Sequence, residues 1–121
     1  MDISSGEAFS RTSRLTRAAD YSQVFQHNLR IKDDCITLVV GKSSSGSARL
    51  GIAIAKKQIK KAVDRNRLKR LLRESFRKRI KNLPAVDIVI MVRYNILTLS
   101  NHEIYTRLEK LWQKVADKCE N

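Results

Sequence analysis

Apolar positions along the chain follow two periods, and each change of period marks a change of element. Cys35-Ile36-Thr37-Leu38-Val39-Val40 and Leu50-Gly51-Ile52-Ala53-Ile54-Ala55 are short apolar runs bounded by polar turns. They predict two strands, the second antiparallel to the first. Gly41-Lys42-Ser43-Ser44-Ser45-Gly46-Ser47 joins them as a flexible turn too short to divide domains. The spacing then turns helical: Leu68, Leu71, Leu72, Phe76 and Ile80 fall on one side of a helix that Pro84 stops. Val86-Asp87-Ile88-Val89-Ile90-Met91-Val92 is apolar enough to be a central strand. Ser100 and Glu103 then form a capping box, and Ile104, Leu108, Leu111, Trp112 and Val115 make the apolar stripe of a last helix.

Ahead of these elements, Thr16 is placed as an N-cap, and Ala18 to His27 carries Tyr21, Val24 and Phe25 at helical spacing. Residues 1–15 are polar and aperiodic, a loosely ordered arm that ends by packing Leu15. The predicted order is α-β-β-α-β-α. That is an α+β fold, a small sheet packed by helices, with residues 1–121 forming a single domain.

Charge turns this outline toward function. The chain holds 25 Lys+Arg against 12 Asp+Glu, a formal +13. Lys56 to Lys81 alone carries 13 of the basic residues and two acids, Asp64 and Glu74, hence +11; the rest of the chain carries +2. A solubility device would be spread over the surface, so the concentration points to a face that meets a polyanion. No apolar run approaches the roughly 18 residues that span a bilayer. The first residues have neither the basic nor the apolar region of a secretory signal. Two distant cysteines, Cys35 and Cys119, read as reduced thiols, which places the protein in the cytoplasm.

At about 100° per residue, Asn66, Arg70, Arg73 and Arg77 fall opposite the Leu/Phe/Ile stripe, with Arg67 and Lys81 flanking them. One side of the helix is anchored and the other presents guanidiniums, whose planar fork meets phosphate oxygens bidentately. Lys56, Lys57, Lys60 and Lys61 extend the positive surface from the strand exit. A merely solvated face would need acidic partners three or four residues away, and only Glu74 is well placed. Nucleic-acid binding therefore explains the segment better. The preceding element is a strand, which argues against helix-turn-helix reading of DNA. Leu50 to Ala55 lacks the aromatics of a base-stacking sheet. Backbone-dominated recognition of a shaped RNA is what remains.

These residues resemble a known family. Arg49-Leu50-Gly51-Ile52-Ala53-Ile54-Ala55-Lys56-Lys57 followed by Ala62-Val63-Asp64-Arg65-Asn66-Arg67-Leu68-Lys69-Arg70-Leu71-Leu72-Arg73-Glu74-Ser75-Phe76-Arg77 is similar to the bacterial ribonuclease P protein component, with its Arg-Asn-Arg motif. Weaker likeness runs from Arg14-Leu15 through Asp20-Tyr21 and Val24-Phe25 to Leu108-Glu109-Lys110-Leu111-Trp112. The turn after Lys56-Lys57 departs from the family pattern: Gln58-Ile59-Lys60-Lys61 stands where members often carry a glycine.

The resemblance implies the protein subunit of a ribonucleoprotein endoribonuclease that removes the 5′ leader of precursor tRNA. It implies that the RNA subunit binds the Mg²⁺ ions and performs the hydrolysis. The protein itself would then hold no cofactor and no catalytic residue, and its partners would be the catalytic RNA and precursor tRNA. Carried over by position, Lys56, Lys57, Arg65, Asn66, Arg67, Lys69, Arg70, Arg73 and Arg77 form the RNA-binding set. Tyr21 and Phe25 match aromatics that line a cleft for the leader, though at i, i+4 spacing they suit plain core packing as well. The family also implies a left-handed strand-helix-strand crossover, against the general preference.

No constellation of side chains reads as catalytic or as a metal site. His27 and His102 lie in different helices, with His102 exposed in the first turn of the last one, and neither has ligand partners at metal spacing. Asp33-Asp34 fits loop solvation, Cys35 a small buried hydrophobe and Trp112 the core. Two other classes share the size and charge: a structural RNA-binding protein, such as a ribosomal one, and a nuclease that binds its own metal. The first would not enhance leader cleavage by the RNA at low Mg²⁺. The second would need a carboxylate cluster and would cleave precursor tRNA unaided.

Overall fold

The computed structural model of the chain describes residues 29–43 and 46–119. The arm over 1–15, the helix expected over Ala18 to His27, and Tyr21 and Phe25 with it, lie outside the described residues. Four strands and two long helices make up the remainder: β1 Leu29–Lys32, β2 Ile36–Lys42, β3 Arg49–Ala53, α1 Ala62–Arg79, β4 Val86–Val92 and α2 Asn101–Cys119. Short 3₁₀ turns follow α1 at Ile80–Asn82 and β4 at Tyr94–Thr98. Pro84 stands just beyond the first turn, where the backbone has already become extended at Leu83. Among the described residues no helix is long and apolar enough to cross a membrane.

The strands form one sheet in the order β1-β2-β4-β3. β4 is central, antiparallel to β2 and parallel to β3. Its unbroken apolar run has a direct cause: six of its seven residues are buried, because the strand is covered on both faces and paired on both edges. β3 runs opposite to β2, as the sequence predicts, yet it is not paired with it; β4 lies between them. β3-α1-β4 is therefore a parallel crossover unit, with the basic helix as its connection. β3 also ends at Ala53, and Ile54-Ala55 leads out of the sheet into a turn. β1 adds a strand that the pattern does not announce. It spans only four residues, and Ile31 is its single buried side chain, so it shows no alternation to detect.

Alternation along the strands divides the core. Ile36, Leu38, Val40, Leu50, Ile88, Ile90 and Val92 belong to the cluster that packs against the two helices. α1 contributes Leu68, Leu71, Leu72 and Phe76; α2 contributes Ile104, Leu108, Leu111, Trp112 and Val115, as the two stripes predict. The other sheet face carries a smaller buried pair, Val39 opposite Val89, with Ala53 and Met91 against it. On that face Arg49 and Asp87 face each other in register, and the guanidinium bonds the carboxylate through Nε at 2.8 Å and Nη2 at 2.7 Å. Asp87 is buried, so the two-point pairing is what makes its charge tolerable there.

The helices are fixed to each other by a polar contact as well as by area. The Trp112 indole N–H donates to the buried Ser75 hydroxyl at 2.8 Å, and its ring meets Phe76 edge-on at 5.6 Å. The capping box forms as read: Glu103 N–H donates to Ser100 Oγ, and Ser100 N–H donates to Glu103 Oε1. This bonding holds the Glu103 carboxyl below its usual range.

Candidate nucleic-acid interface

α1 is positioned by its apolar side. Leu68, Leu72 and Phe76 are fully buried against the sheet and α2, which turns the opposite side outward. Asn66 and Arg70 are exposed, where the helical projection puts them, whereas Arg73 and Arg77 are half-buried. Arg70 and Lys69 make no ion pair with another described residue, so both charges stay available to an incoming anion. Arg77 is bound to Glu74 of the same helix at 2.5 Å, with Lys78 at 3.9 Å from the same carboxylate. That pairing holds the Glu74 carboxyl below its ordinary range, so it stays ionised and partly neutralises the row.

The flanking arginines divide by what they touch. Arg65 turns its guanidinium back on the preceding turn, where Nη1 donates to the carbonyls of Ile59 and Lys60, both at 2.9 Å. Ile59 is fully buried, and the N–H groups of Gln58 and Ile59 both donate to Ala55 O. The Lys56–Lys61 segment is thus a closed turn pinned at its base, with Lys56, Lys57, Lys60 and Lys61 exposed around it. Arg67 reaches α2, donating to Asn101 Oδ1 at 2.5 Å. Arg79, at the end of α1, also turns to α2 and pairs with Glu109. Lys56, Lys57, Asn66 and Arg70 are therefore open to solvent, and Lys69 is half-buried. Arg65, Arg67 and Arg77 are each engaged within the fold.

Sequence reasoning passed over Tyr94. It stands in the turn after β4, it is 63 % exposed, and its backbone N–H donates to the Gln58 side chain at 3.1 Å. With Leu97 it lines a hollow of about 550 Å³ whose other walls are Lys57, Gln58, Lys60, Lys61 and Asp64. The available signal was an aromatic following an arginine at a strand end; its neighbourhood comes from a segment more than thirty residues away.

Elsewhere the polar groups serve the fold. Asp33 accepts the N–H groups of Cys35 and Ile36 at 2.9 Å, and Asp34 pairs with Arg107, which holds the Asp34 carboxyl below its usual range. Asp33, Asp34 and Cys35 could converge on an ion, but these partners already occupy the two carboxylates. Burial pushes the Cys35 thiol up to about 11, which leaves it a poor ligand and nucleophile. Both cysteines are free, His102 is exposed in the first turn of α2, and Trp112 is wholly buried.

Comparison with known proteins gives a consistent picture. A family model described as ribonuclease P matches residues 9–116. The ribonuclease P protein component of Legionella pneumophila (strain Corby) is 46 % identical over 109 residues, covering 90 % of this chain and 94 % of the relative. That of Pseudoalteromonas atlantica is 42 % identical over 113 residues, covering 93 % and 94 %. Among solved structures, the RNase P protein from Thermotoga maritima superposes with a TM-score of 0.75 at 26 % identity, covering 84 % of this chain and 96 % of that one. A Staphylococcus aureus RNase P protein mutant, at 24 % identity and TM-score 0.79, shares the fold over 85 % of this chain and 87 % of its own.

Proposed function

The chain belongs to the ribonuclease P protein family, and from that premise we propose that the Asn66–Arg70 side of α1 docks on the catalytic RNA while that RNA performs the chemistry. As the protein component of ribonuclease P it partners the catalytic RNA and precursor tRNA and takes part in tRNA 5′ processing. In this reading Mg²⁺ is held by the RNA, which cleaves the phosphodiester bond, and the protein supplies positive charge and shape. The observation that carries it is the +11 of Lys56–Lys81, set on the Lys56–Lys61 turn, the helix α1 whose apolar stripe is buried, and the turn that follows it. A rigid scaffold holds the cations in a fixed row, so RNA phosphates meet them without the entropy cost of ordering a flexible tail.

The RNA-contacting set comprises Lys56, Lys57, Arg65, Asn66, Arg67, Lys69, Arg70, Arg73 and Arg77, with Arg70, Lys69 and the two lysines as its most available members. Tyr21 and Phe25 belong to the leader cleft. The protein works in the cytoplasm, a setting in which its two unpaired cysteines persist as thiols. Reconstitution with the catalytic RNA, followed by a leader-cleavage assay at low Mg²⁺, tests the reading. Faster cleavage on adding protein is expected. No enhancement would make the protein purely structural, and cleavage of precursor tRNA by the isolated protein would overturn the assignment of chemistry to the RNA.

A further inference from the structure

The hollow between the Lys56–Lys61 turn and the Tyr94–Thr98 turn joins three features that the arginine row lacks. It has an exposed aromatic ring, an apolar neighbour in Leu97, and three lysines on its rim, Lys57, Lys60 and Lys61. Large apolar side chains are exposed at only four described positions, Leu29, Val63, Tyr94 and Leu97, and two of these line this one place. Among the described residues the anchoring contact of Tyr94 is made by its backbone N–H to Gln58, which leaves its ring free of that task. Among the described residues of the lining the only acid is Asp64, against three lysines, so together they are net positive. α1 also begins here, at Ala62, with no side-chain cap from Lys61, which leaves the positive end of its dipole at the same rim. The volume, about 550 Å³, lies within the roughly 300–1,000 Å³ of small-ligand sites.

We propose that this hollow holds one unpaired nucleotide of the catalytic RNA, its base stacked on Tyr94 against Leu97 and its phosphates on Lys57, Lys60 and Lys61. A flat ring flanked by cations is the arrangement that grips single-stranded nucleotides without reading their sequence. The catalytic RNA is the occupant because the rim is continuous in sequence with the α1 face: Lys60 and Lys61 lead directly into Ala62–Arg70. The inference rests on the RNA-binding reading above and adds a second, stacking component to an electrostatic one.

The test measures affinity of the full-length protein for its catalytic RNA, alone and then as holoenzyme with precursor tRNA, across a salt series. Tyr94→Ala should weaken binding to the RNA alone about 5- to 150-fold, the range set by stacking on one ring. Its log–log salt slope should stay unchanged, and Tyr94→Phe should restore affinity. Lys60→Ala should instead lower the slope by about 0.7, the value for single strands. If Tyr94→Ala weakens only precursor binding by the holoenzyme, the occupant is the substrate and the proposal fails. If Tyr94→Ala and Tyr94→Phe both bind as the parent does, the hollow is not a site. Arg70→Ala, measured alongside, separates the two readings: loss with Arg70→Ala and none with Tyr94→Ala overturns this inference only, whereas no loss in either overturns RNA binding through α1 as well.

Discussion

Arg65 and Arg70 lie five residues apart on one helix, and the structure assigns them opposite balances of stability and binding. Arg65 donates from one nitrogen to two carbonyls of the Lys56–Lys61 turn, each at 2.9 Å, while Arg70 is exposed without a partner among the described residues. Removing the Arg65 guanidinium leaves two carbonyls without their donor and frees the turn. From the net worth of charge-assisted hydrogen bonds, Arg65→Ala should cost roughly 1–3 kcal/mol of folding stability. For a domain of this size that lowers Tm by about 3–5 °C per kcal/mol. Arg70→Ala removes an exposed side chain from a helix and should change stability by no more than about 0.5 kcal/mol.

Binding should order the pair the other way for charge. If Arg70 meets one phosphate, its loss should reduce the log–log salt slope by about 0.7–0.9 and weaken RNA binding about 10- to 150-fold at fixed salt. Arg65→Lys keeps the charge but loses the planar fork, so its slope should hold while Tm still falls. Thermal unfolding followed by circular dichroism, with filter binding to the catalytic RNA at four or more salt concentrations, resolves both axes. A Tm loss for Arg70→Ala equal to that of Arg65→Ala, or an unaltered slope for Arg70→Ala, refutes this division of roles.

Three further outcomes follow from other contacts. Glu74→Gln removes the carboxylate that neutralises Arg77 and should tighten RNA binding about two- to fivefold with a steeper salt slope, since exposed pairs are worth up to about 1 kcal/mol; unchanged affinity would show that Arg77 plays no part. Ser75→Ala leaves the buried Trp112 N–H without its acceptor and should cost about 1–3 kcal/mol in denaturant unfolding while RNA affinity at 25 °C is kept, whereas a neutral result would mean that another acceptor takes the N–H. Arg107 holds the Asp34 carboxyl below its ordinary 3.8, so the stability this pair contributes is present above that pH and is lost as pH falls through the lower folded value. NMR titration of Arg107→Ala should move the Asp34 midpoint up toward its ordinary value, and a midpoint that stays low would assign the effect to the backbone N–H or Arg93 instead.

Much of the fold was readable before any coordinates because burial here follows simple periods. The α1 and α2 stripes, the central placement of Val86–Val92 and the Ser100–Glu103 box all rest on spacing within a few residues, and each is present. β1 escaped notice because four residues with one buried side chain carry no period. The partner of β3 was equally hidden: the polar linker after β2 suggests a neighbouring hairpin, but the pairing that forms is long-range and parallel.

For the site, sequence determined where the charge is and which helical side shows it, since both depend only on composition and on 100° per residue. Tertiary structure decided which cations are available. Arg65, Arg67 and Arg79 look like their neighbours in the sequence, yet each finds an oxygen on the preceding turn or on α2 and turns toward it. Arg70 finds none among the described residues and stays in solvent. Tyr94 joined the lysines of a segment more than thirty residues away for the same reason: the parallel β3-α1-β4 crossover brings the exits of β3 and β4 to one end of the sheet. Local periodicity sets the face of a helix, but the partners of a side chain are set by whatever the chain's long-range pairing brings beside it.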